Sequence, residues 1–178
     1  MEYMYELRIP KERVAVLIGT KGETKKEIEE QTKCKLDIDS NEGDIKIMGK
    51  DTLDMLNAQE IIKAIGRGFN PDVAFLLLNQ NYTFEIINIL DYVGKSKKSA
   101  ARVKGRVIGT EGKARRTMEE ITNSHISVYG KTISIIGESE YVPIARRAIE
   151  SLLGGSPHSI VYAWLEKQRK NMRFKEII

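Results

Sequence analysis

The chain repeats itself. Residues 17–38 (LIGTKGETKKEIEEQTKCKLDI) align without a gap to residues 107–128 (VIGTEGKARRTMEEITNSHISV), at an offset of 90. Seven of the 22 positions are identical: Ile18/Ile108, Gly19/Gly109, Thr20/Thr110, Gly22/Gly112, Glu29/Glu119, Glu30/Glu120 and Thr32/Thr122. Beyond them Ile45-Lys46-Ile47-Met48-Gly49 returns as Ile133-Ser134-Ile135-Ile136-Gly137, now at an offset of 88. The first copy therefore carries two extra residues between its last two strands. A period near 90 is far longer than the ~20–50 residues of a stacking repeat. It predicts two small domains, each with its own core.

The hydrophobic pattern gives both copies the same element order. In the first, Tyr3–Ile9 alternates as a strand does and Pro10 ends it. Residues 11–18 place Val14, Leu17 and Ile18 on one helical face, and Gly19-Thr20-Lys21-Gly22 breaks that helix. A charged helix over 23–32 follows, then strands over 35–39 and 44–48 around a polar turn. Asp51 is a good N-cap for a third helix reaching Gly66. The second copy reads as a strand near 84–93, a helix near 99–108, the loop Gly109-Thr110-Glu111-Gly112 and a helix to Thr122. Strands near 125–129 and 132–136 and a helix over 141–153 complete it. Both copies read β-α-α-β-β-α, an α+β chain. An apolar helix over 72–78, too greasy for a free linker, is expected to pack between the two domains. A last helix near 158–171 follows Gly154-Gly155-Ser156-Pro157, with Val161, Trp164 and Leu165 on one face. The expected divisions are 1–68, a helical linker 69–82, 83–155, and a C-terminal helix and basic tail over 156–178.

Charge is concentrated in one place. Residues 1–84 carry 12 basic and 15 acidic side chains, and residues 85–178 carry 17 and 10. Lys95 to Arg116 alone holds nine basic residues and one acid. That is the footprint of a phosphate-binding surface. One cysteine, Cys34, allows no disulfide framework, and His125 and His158 lack metal-ligand spacing. No apolar run reaches the ~18–20 residues that span a bilayer, and no secretory h-region opens the chain. The setting expected from this is soluble, reducing and cytoplasmic, with no cofactor and no metal. Gly109-x-x-Gly112-Lys113 has the wrong spacing for a nucleotide-binding P-loop. GxSxG and HExxH motifs are absent from the sequence, so the expectation is that the chain is not an enzyme.

The repeated motif is I-G-x-x-G between two short helices with a strand beyond. This resembles the KH family, in the type I strand order of eukaryotes and archaea: a three-stranded antiparallel sheet with three helices per domain. The chemistry agrees. Two glycines let the backbone approach a sugar-phosphate chain, and the loop opens a helix whose free N–H groups face anions. An aliphatic strand opposite offers an apolar floor that only unpaired bases can reach. The RNA-binding candidates are Gly19, Thr20, Lys21, Gly22, Lys25 and Lys26 in the first copy. In the second they are Lys104, Arg106, Gly109, Thr110, Glu111, Gly112, Lys113, Arg115 and Arg116. Glu111 departs from the pattern, since a carboxylate repels phosphate. The second copy is expected to bind RNA more strongly. Glu27, Glu29 and Glu30 read as a solvated face, and Lys95, Lys97 and Lys98 as a basic loop.

Residues 104–109 (KGRVIG), 126–132 (ISVYGKT) and 152–157 (LLGGSP), with Val161-Tyr162, resemble the partner-of-Nob family of ribosomal RNA-processing KH proteins. The short form with both loops intact looks archaeal. The resemblance implies single-stranded binding to small-subunit ribosomal RNA near its 3′ end during ribosome maturation. It also implies the Nob endonuclease and the alpha subunit of initiation factor two as partners. The alternative is a KH-fold protein-binding adaptor with weak or nonspecific affinity for RNA or single-stranded DNA. It suits the net-negative first copy best.

Overall fold

The computed structural model describes residues 1–177, leaving Ile178 and the end of the expected tail outside the described residues. It divides into two compact units, Met1–Gln80 and Asn81–Ile178.

In the first unit β1 (Tyr3–Arg8) leads into α1 (Lys11–Ile18), the glycine loop and α2 (Glu23–Thr32). Then come β2 (Lys35–Ile38), β3 (Asp44–Gly49) and α3 (Thr52–Gly66). The sheet order is β1-β3-β2, antiparallel throughout, with Leu7 opposite Ile45 and Leu36 opposite Ile47. Strand alternation turns Ile45 and Ile47 inward, where they meet Leu17, Ile28, Ile61, Ile62 and Ile65, all fully buried. Each such side chain contributes roughly 1.5–3 kcal/mol. Asp51 caps α3, its Oδ1 accepting from Leu53 N at 2.8 Å and Asp54 N at 3.2 Å. α4 (Pro71–Ala74) and a following 3-10 turn, Phe75–Leu78, pack on α3 and bury Ala74 and Leu77. The apolar segment thus covers the first unit's own third helix.

The second unit repeats the plan. β4 (Tyr82–Asn88) ends earlier than its apolar pattern suggests. Asn88 Oδ1 accepts from Leu90 N at 3.0 Å and starts a single helical turn, α5 (Leu90–Val93). α6 (Lys97–Ile108), the second loop, α7 (Lys113–Thr122), β5 (Ser124–Tyr129), β6 (Thr132–Glu138) and α8 (Val142–Leu153) follow, and the sheet order is β4-β6-β5. Lys97 and Lys98 are not loop residues: Ser96 Oγ accepts from Ser99 N and puts both in the first turn of α6. α9 (His158–Ile177) extends six residues beyond the expected end and packs on α7 and α8. Val161 and Leu165 enter the second core with Val107, Met118, Ile133, Ile135 and Ile149.

An arginine ties α1 or α6 to the end of the third helix in each unit. Arg13 donates to Ile65 O at 2.8 Å and Phe69 O at 2.9 Å. Arg106 donates to Leu152 O at 3.2 Å and to Ser156 O. Carbonyls at a helix C-terminus have no partner within the helix, and a guanidinium satisfies them. The two arginines are not aligned by the repeat, so the same task is met one helical turn apart.

Candidate nucleic-acid interface

The two glycine loops have the same backbone. Gly19 lies at φ 76°, ψ 173° and Gly109 at φ 75°, ψ 174°. Gly22 and Gly112 are both at φ 76°, ψ 13°. The N–H of Gly19 closes α1 on Ala15 O at 2.9 Å, and Gly109 closes α6 on Gly105 O at 2.8 Å. The four glycines serve in two ways. A Cβ on Gly19 would sit 2.3 Å from Thr24 Oγ1, and one on Gly109 2.7 Å from both Ala114 Cβ and its N. A Cβ on Gly22 would meet nothing within 4 Å. The first glycine lets the next helix close in; the second supplies the left-handed turn, with open space beside Gly22 and the Arg116 guanidinium beside Gly112.

Behind each loop, α2 and α7 begin without a side-chain cap. The first N–H of each, that of Glu23 and of Lys113, turns back to Thr20 O and Thr110 O, so what the helix start offers an anion is chiefly the positive end of its dipole. Thr20, Lys21, Thr110 and Glu111 are exposed at the tips, and Lys26, Lys113 and Arg116 are exposed just behind them. Lys25 and Lys104 are half-buried. The first residue of the helix is Glu23 in the first unit and Lys113 in the second. Residues 11–33 hold six basic and five acidic side chains; the aligned residues 101–123 hold six and three.

Across from each loop runs an edge strand, β2 or β5. Its outward backbone groups are partly engaged. Glu29 Oε2 accepts from Leu36 N at 2.9 Å, and Glu119 Oε2 accepts from Ile126 N at 2.9 Å. The reading of Glu29 as a solvated charge is corrected: it pins the edge strand to its helix. Identity at 29 and 119 across the repeat was the available signal. Strand alternation turns Ile38 and Val128 the same way as Leu36 and Ile126, two residues further along each edge.

The second unit's arginines are held in place. Arg115 donates to Ile126 O at 3.4 Å and lies 3.8 Å from Glu119. Arg116 reaches back to Glu111 O at 2.6 Å, so its guanidinium lies over Gly112. That contact places a cation beside the Glu111 segment, the one acidic position of the loop. Two groups of Arg106 are committed to the carbonyls that end α8 and precede α9. His158 adds to this side: its Nε2 is 2.7 Å from Arg106 O, and because a carbonyl only accepts, Nε2 carries the proton. Tyr162 stands beside it, ring centroids 6.0 Å apart, and burial raises its phenol above the usual range, keeping it a neutral donor. Neither His158 nor Tyr162 was among the candidates read from sequence, because nothing local marks that α9 folds back to the loop.

Two matched loops, each facing an edge strand, set the context for comparison with known proteins. Residues 83–170 match the family model of the second KH domain of PNO1, described as a eukaryotic-type KH domain (KH-domain type I), and residues 4–64 match that of the KH domain. The KH domain-containing protein MJ0443 of Methanocaldococcus jannaschii is 48% identical over 171 residues, covering 94% of this chain and 74% of that protein. A chain in the crystal structure of the a/eIF2alpha–aDim2p–rRNA complex from Pyrococcus horikoshii is 46% identical, covers 96% of each chain and superposes with a TM-score of 0.89. The chain belongs to the double-KH family of Dim2p and PNO1. In that family the RNA-binding protein pno1 of Drosophila pseudoobscura is 34% identical over 65% of this chain. Fungal relatives carry the name pre-rRNA-processing protein. The chain spans about half the length of these eukaryotic relatives. Among the described residues no helix is long and apolar enough to cross a membrane, and no cluster of potential metal ligands occurs.

Proposed function

We propose that this chain binds single-stranded ribosomal RNA of the small subunit, near its 3′ end, during ribosome maturation, and that the second unit is the stronger RNA binder. The single observation that carries this is the loop of the second unit. Its glycine backbone opens a helix that has no side-chain cap, beside the exposed cations Lys113 and Arg116, in the same unit as the edge strand β5. The family's names and the rRNA complex of its Pyrococcus member support the ligand class. The residues expected to face phosphate are Gly109, Thr110, Gly112, Lys113 and Arg116, with Lys104 on the flank. Arg106 and Arg115 act by fixing the walls. The first unit offers Gly19, Thr20, Lys21, Gly22, Lys25 and Lys26 in the same geometry, diluted by Glu23 and Glu27.

In this reading the protein presents RNA rather than cutting it, in the cytoplasm. The Nob endonuclease and the alpha subunit of initiation factor two are its proposed partners. The test is binding of a labelled single strand matching the small-subunit rRNA 3′ end, against a scrambled RNA and the same-sequence DNA over a salt series. Selective binding that survives moderate salt is expected. Equal binding of all three, lost steeply with salt, would reduce the interaction to charge alone.

One observation favours an adaptor role for the first unit. β1 is an edge strand, and its Tyr3, Met4 and Tyr5 line a cavity of about 500 Å³ with Leu53 and Leu56 of α3. Leu53 and Leu56 are 54% and 51% exposed, although they continue the apolar pattern of α3. Contiguous exposed apolar side chains beside an open strand edge suit an extended protein segment. Leu56→Asp is expected to abolish protein capture by the first unit and leave RNA affinity intact; a matched loss of RNA binding would rule the adaptor reading out.

A further inference from the structure

α9 buries only part of its apolar surface. Its buried residues are Val161 and Leu165, which enter the second core. Ile160 and Trp164 each precede one of these by a single position, so they form a neighbouring stripe, which Lys167 continues one turn on. Ile160 is 61% exposed and Trp164 is half-buried. In the first unit the segment after the third helix lies on that helix and buries Ala74 and Leu77. In the second, an apolar stripe stays open where α9 packs on α8.

Between these two helices lies a cavity of about 240 Å³, lined by Arg147 and Ser151 of α8, Ser156 of the connection, and Ile160, Val161 and Trp164 of α9. None of these residues is acidic. The volume falls below the ~300–1,000 Å³ of small-molecule sites and suits a single large side chain. Arg147 stands over the Trp164 ring, 5.0 Å from its centroid. Among the described residues no carboxylate pairs with Arg147, whereas its neighbour Arg146 is held by Glu85 and Glu150. The surroundings are cationic: residues 157–177 hold five basic and two acidic side chains, and one of the acids, Glu166, is taken up by Arg169 at 2.6 Å.

We infer that the groove between α8 and α9 docks an acidic segment of a partner protein, which inserts one large apolar side chain against Ile160 and Trp164. Arg147 and Lys167 meet its carboxylates, and the hydroxyls of Ser151 and Ser156 offer donors to its backbone carbonyls. Charge complementarity selects this occupant: an apolar floor with a cationic rim favours an apolar residue in acidic surroundings and repels a basic segment. The indole is a poor platform for a nucleotide base, since Arg147 covers one face and the ring packs against the second core. The groove shares no lining residue with the cavity beside the second glycine loop, so the inference does not rest on the RNA reading.

The probes are labelled acidic peptides built from Asp and Glu that carry Phe, Leu, Trp or Ala at one central position, titrated with the full chain by fluorescence anisotropy. The best of the three apolar peptides is expected to bind roughly tenfold more tightly than the Ala peptide, the gain of one buried side chain. Ile160→Lys keeps the cationic rim and removes the apolar floor, so it should erase that gain. Arg147→Gln removes one cation and should weaken the best peptide several-fold, more at low salt than at high. Both side chains are exposed, so both variants should fold and should bind the rRNA 3′-end strand as the wild type does. Apolar peptides that bind no better than the Ala peptide, or a gain that survives Ile160→Lys, overturn the inference. A loss of RNA affinity that matches the loss of peptide affinity also overturns it, and would make the groove part of an RNA surface instead.

Discussion

The two units share a loop and differ in what surrounds it. Their glycine backbones agree within two degrees at φ and ψ of both glycines, and each closes on the preceding helix through the same hydrogen bond. Around this common frame the first unit places Glu23 at the start of α2, carries five acids in the helix–loop–helix, and leaves Leu53 and Leu56 in the open. The second places Lys113 there, carries three acids, and adds a helix beside the loop. Its β4–α8 face is polar rather than apolar: Arg146 lies 3.7 Å from Glu85 and 3.6 Å from Glu150, and Tyr92 donates to Glu150 at 2.5 Å. Duplication preserved the backbone that approaches an anion. Divergence acted on the side chains that decide whether an anion or an apolar partner stays.

That comparison breaks most readily at the first glycine of each loop. Gly19→Val and Gly109→Val must force a Cβ into Thr24 and Ala114 from a backbone region open only to glycine, and each should cost about 3 kcal/mol or more. Equal losses by denaturant unfolding are expected, since the frame is the shared part. Gly22→Ala and Gly112→Ala meet no backbone neighbour and should cost only about 1 kcal/mol, the left-handed penalty alone. A loss at Gly22 as large as at Gly19 would contradict the division of labour between the glycines.

Smaller changes separate the units. Glu29→Gln and Glu119→Gln each weaken a charged acceptor for a strand N–H, worth about 0.5–1 kcal/mol. Glu119→Gln should cost a few tenths more, because Arg115 also loses its partner. The smallest effect lies in salt dependence. Lys113→Ala should lower the slope of log affinity against log salt by about 1, while Lys21→Ala should barely move it. Equal changes from the two substitutions would mean that the first loop holds RNA as well as the second.

Much of this was legible because duplication writes a pattern twice. The order of elements, both loops and the concentration of charge follow from periodicity and an offset of 90. The buried threonines show what repetition can and cannot say. Thr32 and Thr122 are identical, and each hydroxyl turns back to a carbonyl one turn earlier, Ile28 O at 2.6 Å and Met118 O at 2.7 Å. Identity marked them as important without saying that their role is structural. Glu29 was misread for the same reason, since a charged residue on a charged helix looks solvated until its edge-strand partner is seen. The end of β4 was misplaced because Ile89, Leu90 and Val93 continue an apolar run, and only the Asn88 side chain turns the chain there. The arginine clamps and the return of α9 depend on contacts across 46 to 56 residues, which local patterns do not encode.

The central claim is that one backbone frame serves RNA strongly in the second unit and weakly in the first. The most direct measurement is the affinity of the rRNA 3′-end strand for two charge-reversed chains, Thr20→Asp with Lys21→Asp, and Thr110→Asp with Lys113→Asp. The account predicts a loss of roughly 100-fold or more for the second pair and only a few-fold for the first, with both chains folded. Equal losses, or a larger loss from the first pair, would contradict it.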